Sequence, residues 1–268
     1  MASSLKRAPD TGALFLLVSL ALLMFSSLSA ASQAPCAAES IDEYQKVEFV
    51  HDGDSLRLKG GEKIRLIGIN TPELARGSQP AEPFGIAARD ALRALLPVGS
   101  RIGVQYGREA QDRHGRTLAH LYLEDGRSVQ RWLLEKGYAV AIAIPPNLYN
   151  VNCYQQAERF ARAKRQGLWR NGGYKPLAAT TLQRGDQGFR LVIGRVTAVK
   201  RTKKWLRLTL AEKSSLRVAK EDERYFDGGQ LQSIVGKEVI ARGWLTQRKG
   251  RWSMRIRHSS ALTIVDHE

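Results

Sequence analysis

The strongest constraint on the fold is a series of short strand-like runs separated by glycine turns. Three such runs, Val47–Val50, Ser55–Lys59 and Lys63–Ile69, are joined by tight turns at Asp52-Gly53 and Gly60-Gly61. Runs of this length are too short for helices and are typical of strands in a small sheet or barrel. The middle of the chain is therefore predicted to begin with a meander of three strands.

Helix signals follow this meander. Apolar residues at helical spacing predict three helices, and two more strand-like runs lie between the first and the second of them. Five strands with interleaved helices are typical of a small barrel decorated by helices, not of a parallel sheet. The predicted helices are Glu82–Leu96, Val129–Lys136 and Gln155–Arg165, and the added strands are Arg101–Tyr106 and Thr117–Leu123.

The last third of the chain has the pattern of a second barrel. Alternating apolar and polar residues predict five strands, with a helical segment, Glu221–Val235, between the third and the fourth. This order is that of an OB-type barrel. A stretch rich in Gly, Thr and Pro precedes it and is predicted to be a linker. The predicted strands are Leu191–Val199, Trp205–Leu210, Leu216–Ala219, Glu238–Trp244 and Trp252–Ile256.

The charge of the chain favours a polyanionic partner over an ordinary solvated surface. The sequence has 42 Lys and Arg against 26 Asp and Glu, a formal net charge of +16. Neutralising phosphates releases counterions and drives binding. Residues 184–268 contain 19 of these cations and 9 of the acids. In this basic region Trp205, Trp244 and Trp252 either stack on bases or fill the barrel core, and the sequence leaves both readings open.

The N-terminus has the layout of a secretory signal peptide. Lys6 and Arg7 precede the apolar run Ala13–Phe25, and a stretch of small residues follows. We expect residues 1–34 to be removed and the protein to be periplasmic or secreted. A retained membrane anchor is the alternative, although the apolar run is short for a membrane span.

Two cysteines, Cys36 and Cys153, follow the predicted signal peptide. Export makes a disulfide chemically permissible. A bridge over so long a loop would add roughly 4–5 kcal/mol of stability on the chain-entropy model. A disulfide and two free thiols both remain possible.

Three motifs concentrate carboxylates and arginines in the first predicted barrel: Asp52-Gly53-Asp54, Ile64–Glu73 and Asp112–Arg116. Carboxylates hold hard divalent cations, arginines hold phosphate, and a glutamate between them can deprotonate water. Together the motifs supply the groups for metal-assisted cleavage of a phosphodiester. Each motif is weak alone, since Asp-Gly turns are common and basic turns are usually solvated.

In combination the motifs resemble those of the staphylococcal nuclease (thermonuclease) family. The family signature runs Asp-Gly-Asp-Ser/Thr, then Arg-Leu-x-x-x-Asp-x-Pro-Glu, then Asp-x-x-Gly-Arg, and the likeness extends from about Val47 to Trp169. It implies a mainly β fold with helices (α+β). The first part would be an OB-fold barrel of five strands with three helices, and the second small OB-like barrel would follow it.

The resemblance also implies a role for individual residues. In that family Ca²⁺ and the arginines neutralise the phosphate, while the glutamate is the general base to water. The P–O5′ bond breaks and leaves 3′-phosphate ends on DNA or RNA. The implied residues are Arg65, Glu73 and Arg116 for catalysis, Asp54, Asn70 and the carbonyl of Thr71 for Ca²⁺ with Asp52 close by, and Arg113 for substrate phosphate.

The sequence departs from the family pattern in two places. Asn70 stands where the family usually has Asp, and an uncharged amide oxygen predicts weaker calcium binding or a changed metal preference. Ile142 and Ile144 stand, by ungapped counting, where the staphylococcal enzyme has tyrosines in its nucleotide pocket. Base stacking at these two positions therefore does not follow from the resemblance.

The predicted organisation has four segments: a signal peptide (1–34), a catalytic domain (43–172), a linker (173–188) and a basic OB-like domain (189–266) that binds nucleic acid. We expect an exported, calcium-dependent nuclease that acts on DNA or RNA as a monomer, without stable membrane association after signal cleavage. The alternatives are a catalytically weak or inactive nucleic-acid-binding protein of the same fold, and an envelope-attached interaction protein.

Overall fold

A computed structural model describes residues 36–77, 79–172, 174–227, 229 and 231–265. The predicted signal peptide lies outside these residues. Within the described part of the chain, no helix combines the length and the apolar character needed to cross a membrane.

The first half forms the predicted barrel. Its strands are β1 (Glu43–Val50), β2 (Ser55–Leu58), β3 (Lys63–Leu66), β5 (Arg101–Gln111) and β6 (Thr117–Tyr122). They close in the order β1-β2-β3-β6-β5. Neighbours are antiparallel except for β3 and β6, which run parallel. The alternating apolar positions of these strands point inward, and Leu56, Ile64 and Leu121 are fully buried.

Three α-helices pack around this barrel: α1 (Gly85–Leu95), α2 (Val129–Glu135) and α3 (Val151–Ala163). Helix α2 begins after Ser128, whose side chain accepts a hydrogen bond from the backbone N–H of Arg131. Helix α3 is joined covalently to the start of the described chain, because Cys36 and Cys153 form a disulfide. The sequence had left this pairing open.

The third predicted strand is shorter than expected because the chain turns at Gly68. This residue has φ of +80°, and a Cβ there would lie 2.6 Å from the ring of Tyr154, so only glycine fits. Beyond the turn, β4 (Ile69–Asn70) pairs with β7 (Val140–Ala141) outside the barrel wall. The turn therefore separates Asn70 from the strand that carries Arg65.

The second half forms a curved sheet of eight strands. These are β8 (Leu177–Ala178), β9 (Gly188–Arg195), β10 (Ala198–Arg201), β11 (Trp205–Ala211), β12 (Ser214–Ala219), β13 (Glu238–Arg248), β14 (Arg251–Arg255) and β15 (Leu262–Val265). Strand β9 pairs with β13, and β10, which follows it after two residues, pairs with β11. Since β9 and β10 are consecutive, the sheet curls into a barrel-like shape. Strands β12 and β14 run parallel, as β3 and β6 do in the first barrel.

Several parts of the second half differ from the predicted elements. The single predicted strand Leu191–Val199 is divided into β9 and β10, and β15 was not predicted. The predicted helix over Glu221–Val235 is a 3-10 helix of six residues, Lys220–Tyr225, followed by turns. The sequence has two consecutive glycines at 228 and 229, which disfavour a longer helix. Within the predicted linker, β8 runs parallel to β9 and thus belongs to the second sheet.

Among the described residues, the two barrels contact each other through a small apolar cluster, two ion pairs and hydrogen bonds from arginines of the second half to backbone oxygens of the first. Val140 and Leu168 of the first half are buried against Phe189 of β9. The guanidinium of Arg242 lies 2.8 Å from the buried carboxylate of Glu158. The second ion pair lies beside the predicted catalytic loop and is described below.

Candidate active site

Strand pairing brings the three sequence motifs to one end of the first barrel. Ser55, directly after the Asp52–Asp54 turn, pairs with Arg65 in the antiparallel β2–β3 ladder. The parallel β3–β6 ladder pairs Ile64 with Thr117, the residue after Arg116. A turn, a strand and a second turn that are distant in sequence therefore meet at one edge.

Arg65 is the most extensively bonded residue of this site. Its guanidinium lies 3.1 Å from Oδ2 of Asp54. It also donates hydrogen bonds to the backbone oxygens of Leu66 (2.6 Å) and Ile69 (3.0 Å) and to Oδ1 of Asn70 (3.3 Å). A planar guanidinium can satisfy several acceptors in fixed directions, so Arg65 is held in one orientation.

Asp54 is buried at the centre of the site. Its Oδ2 accepts a hydrogen bond of 2.9 Å from the backbone N–H of Thr71. Burial raises the pKa of Asp54 to about 6, and the nearby charges of Asp52 and Glu73 add to this rise. The guanidinium of Arg65 opposes it. Burial therefore affects this pKa more strongly than the arginine does.

Glu73 lies at the rim, on the loop that follows β4. Its backbone N–H donates to Oε2 of Glu82 (3.1 Å), and its backbone oxygen accepts from the N–H of Glu82 (2.8 Å). Partial burial of the carboxyl group is the largest cause of a raised pKa of Glu73. The charges of Asp52 and Glu82 raise this pKa further, and those of Arg65 and Arg116 lower it. Both arginines are therefore electrostatic neighbours of the glutamate.

Glu82 connects the Glu73 loop to the second barrel. While its Oε2 accepts from the loop, its Oε1 lies 2.6 Å from the guanidinium of Arg190 on β9. Both side chains of this ion pair are about one quarter exposed, at 25% for the arginine and 24% for the glutamate, so water screens it only in part. The second barrel thus holds a residue that directly supports the loop of Glu73.

Arg116 lies at the end of a tightly bonded turn. Oδ1 of Asp112 accepts from the backbone N–H groups of His114 (2.8 Å) and Arg116 (3.0 Å). Oδ2 of Asp112 lies 2.7 Å from the Arg116 guanidinium, which is partly exposed and accessible to a ligand. Arg113, the residue predicted to contact substrate phosphate, is exposed and donates to the ring of His114.

Of the predicted metal ligands, only the carboxylates are arranged as a divalent cation requires. Asp54 and Asp52 bring two carboxylates together, and the charge of Asp52 adds to the rise in the pKa of Asp54 that burial causes. Asn70, however, donates from Nδ2 to the backbone oxygen of Thr71 (3.2 Å), so the two remaining ligands bond to each other. Among the described residues no three His, Cys, Asp or Glu side chains converge on a metal site. The oxygen of Asn70 that would bind a cation accepts instead from Arg65.

Two contributors to the site were missed at the sequence level. Asp112 belonged to a noted motif, yet its pairing with Arg116 follows only from the folded turn. Glu82 carried no signal, because its partners Glu73 and Arg190 lie 9 and 108 residues away. Ile142, where the family has a tyrosine, packs instead against the cluster of Val140, Leu168 and Phe189 between the barrels.

Comparison with known proteins identifies the family of this fold and site. The model of the staphylococcal nuclease homologue family matches residues 63–171. A thermonuclease of Staphylococcus intermedius is 33% identical over 165 residues, which cover 59% of this chain and 96% of that protein. The chain belongs to the staphylococcal nuclease family.

This chain matches different shares of the length of two other relatives. A thermonuclease of Staphylococcus hyicus is 30% identical over 133 residues, 48% of this chain and 78% of that protein. Endonuclease YhcR of Bacillus subtilis is 34% identical over 148 residues, 51% of this chain but 12% of that much longer protein. The family match of residues 63–171 ends before the second barrel begins.

Proposed function

We propose that this nuclease of the staphylococcal nuclease family is exported, depends on calcium and hydrolyses phosphodiester bonds of DNA or RNA to leave 3′-phosphate ends. The observation that supports this most directly is the position of Glu73. It is a rim carboxylate of raised pKa with the arginines Arg65 and Arg116 as electrostatic neighbours. A base beside two phosphate-binding groups is the arrangement that water attack on a phosphodiester requires.

Each residue has a separate task in this proposal. Glu73 accepts the proton of the attacking water, and its raised pKa brings its basicity closer to neutral pH. Arg65 and Arg116 donate hydrogen bonds to the phosphate oxygens on which negative charge accumulates. The exposed Arg113 binds a neighbouring phosphate of the substrate.

Asp54, Asn70 and the carbonyl of Thr71 would hold Ca²⁺, with Asp52 close by, and the bound ion would neutralise charge on the phosphate. The hydrogen bond between Asn70 and Thr71 supports the rival candidate, a catalytically weak member that binds nucleic acid. In that case Asn70 keeps the ligand set closed to the ion.

Export and nucleic-acid docking complete the proposal. The Cys36–Cys153 disulfide is of the kind that persists in oxidising compartments outside the cytoplasm. Residues 184–268 carry 19 Lys and Arg against 9 Asp and Glu, which supports a docking role for the second barrel.

The test is cleavage of end-labelled single-stranded DNA, double-stranded DNA and RNA, with Ca²⁺ and with a chelator. We expect cleavage with Ca²⁺, a loss with chelator, and a fall on the order of 10²–10⁴ for Glu73→Gln, which removes the base. Glu124→Gln is the matched control, because Glu124 is an exposed turn residue paired with Arg101. Equal cleavage by wild type and Glu73→Gln, with or without Ca²⁺, contradicts the mechanism.

A further inference from the structure

The register of the second barrel places cations side by side on its outer surface. Lys200 of β10 pairs with Arg207 of β11, which pairs with Arg217 of β12. Arg217 in turn pairs with Arg255 of β14. Directly paired residues project from the same face of a sheet, with neighbouring strands about 4.8 Å apart. These four residues are called the cationic row.

A row of hydroxyl groups lies beside the cationic row, two residues away from it on β11, β12 and β14. Its members also pair with one another across β11, β12, β14 and β13: Thr209, Ser215, Ser253 and Thr246. Beyond it, Arg248 pairs with Arg251 at the β13–β14 turn. The cationic row, the hydroxyl row and this arginine pair together are called the basic face.

Most cations of the basic face form no ion pair among the described residues, whereas three other arginines of the same barrel do. Arg190, Arg201 and Arg242 each form an ion pair with a glutamate. Within the described residues, the basic face has an ion pair only at its edge, where Arg255 contacts Asp222 and Glu221. Its other cations have none: Lys200, Arg207, Arg217, Arg248 and Arg251.

The centre of the basic face also has unsatisfied polar groups. Nε of Arg217 and Oγ of Ser253 are buried and have no hydrogen-bond partner in the structure. Burial lowers the pKa of Arg217, and the charges of Arg207, Arg255 and Arg248 lower it further. Like charges in excess over the acidic groups nearby are unfavourable, and a bound polyanion would reduce this cost.

An aromatic ring lies at the edge of the same surface. Arg217 and Arg255 lie over the ring of Trp205, with 5.0 and 5.4 Å from guanidinium carbon to ring centroid. Trp205 is partly exposed, whereas Trp252 is buried in the barrel core. Trp205 and the exposed Trp244 thus remain available for stacking, and Trp205 is the one whose ring contacts two cations of the basic face.

The shape of the surface favours an extended ligand. The depression that holds Arg207, Arg217, Arg248 and Arg251 has a volume of about 160 Å³. Enclosed sites for drug-sized molecules are larger, roughly 300–1,000 Å³. A chain of phosphates running over the surface matches rows of cations and hydroxyls better than a small molecule in a cavity does.

We propose that the basic face is a second nucleic-acid site, which binds the sugar-phosphate backbone of the substrate outside the active site. Cations neutralise the phosphates, the hydroxyl groups of Thr209 and Ser215 donate to phosphate oxygens, and Trp205 stacks on a base at the edge. The identity of the polymer rests on the proposed function. The contacts are to the backbone, so the site is not expected to select sequence.

The test measures binding in the full chain carrying Glu73→Gln, by fluorescence anisotropy with labelled single- and double-stranded oligonucleotides in chelator. Arg207→Ser/Arg248→Ser removes two exposed cations that have no ion pair, so the fold should not be affected. We expect binding to weaken at least about tenfold at moderate salt. The slope of log affinity against log salt should fall by about 1.4 for single strands.

The matched control is Arg184→Ser/Lys237→Ser, which changes the net charge equally at two exposed positions of the same half of the chain. It should alter affinity less than about twofold. Equal loss in both double variants, or no loss in either, overturns the proposal. Binding of phosphatidylglycerol vesicles, but not oligonucleotides, through Arg207 and Arg248 would also overturn it, since the face would then dock to lipid.

Failure of the proposed function is detected separately. The binding assay needs no cleavage, so it reports on the basic face even if a chain with intact Glu73 does not cleave nucleic acid. Conversely, cleavage that depends on Glu73, with binding unaffected by Arg207→Ser/Arg248→Ser, would preserve the nuclease and remove the second site.

Discussion

The two barrels share their strand connectivity but place their charged residues differently. Each contains a parallel pair of strands within an otherwise largely antiparallel sheet, β3 with β6 and β12 with β14. In the first barrel, charged residues gather at strand ends and pair with each other, as Arg65 does with Asp54. In the second, cations spread over an outer sheet face, mostly without acidic partners. Strand connectivity alone therefore does not indicate the function of either barrel.

The difference in pairing has a chemical consequence. A guanidinium held by several acceptors is oriented for a defined geometry, as a reacting phosphate requires. Unpaired cations on an outer sheet face supply charge without a single geometry, which suits retention of a polymer. In our proposals, orientation of the arginines matters in the first barrel and their charge in the second.

The largest expected difference between the two barrels comes from changing one arginine to lysine in each. Arg65→Lys keeps the charge but loses the fork that contacts Asp54 and Asn70, so cleavage should slow on the order of 10²–10³. Arg207→Lys keeps the charge on the basic face and should change oligonucleotide affinity less than about twofold. Single-turnover rates and anisotropy measure the two effects. If both lysine substitutions reduced their measured property to a similar extent, the proposed difference between an oriented arginine and a merely charged one would be contradicted.

A second expected difference between the barrels is the pH dependence of stability that a buried histidine causes. His120 in the first barrel is buried against the hydroxyl of Tyr154, and burial lowers its pKa from 6.5 to about 4. Because the unfolded chain takes up this proton first, stability should fall as pH drops from 6.5 towards 4, by about 2 kcal/mol between pH 7 and pH 5. Asp54, whose pKa is raised to about 6, acts in the opposite direction.

The contribution of His120 is isolated by comparing urea unfolding of wild type and His120→Gln at both pH values. The variant should show a loss smaller by about 2 kcal/mol, because its glutamine does not titrate. His258 in the second half is only partly buried and is present in both proteins, so it cancels. Parallel pH dependence in the two proteins would rule out His120 as the cause.

The smallest of the expected differences concerns Ca²⁺ affinity at the proposed metal ligands of the first barrel. The basic face of the second barrel has no such ligands. Asn70→Asp adds a carboxylate and removes the amide that donates to Thr71, so Ca²⁺ should bind tighter on the order of tenfold. Titration calorimetry measures this without cleavage. Asn152→Asp, an exposed change on α3 with the same charge, is the control. Equal gains in Ca²⁺ affinity in both variants would show that the added negative charge, and not its position in the site, causes the effect.

Much of the first barrel could be predicted because its information is local. Alternating residues predicted β2 and β6, and the order of three motifs predicted which residues the site contains. The break at Gly68 was missed, because it depends on the ring of Tyr154 from a distant helix. The bonding of Asn70 to Thr71 was missed as well, since the orientation of the amide is set by Arg65.

The second barrel was predicted in outline and not in detail. Its strands and its positive charge follow from composition and period, and residue counts placed most of the excess charge there. The cationic row depends on register across four strands, which sequence spacing does not specify. The ion pair of Arg190 with Glu82 depends on how one barrel packs against the other.

The sequence by itself determined the types of residue and their local order: short strands, three motifs and an excess of cations in the last third. These properties are local, because period, turn chemistry and charge act over a few residues. Only the tertiary structure decided which charges meet, since contacts between residues far apart in sequence require the barrels to close and pack. That is why Arg65 is paired and oriented while Arg207 is unpaired and exposed.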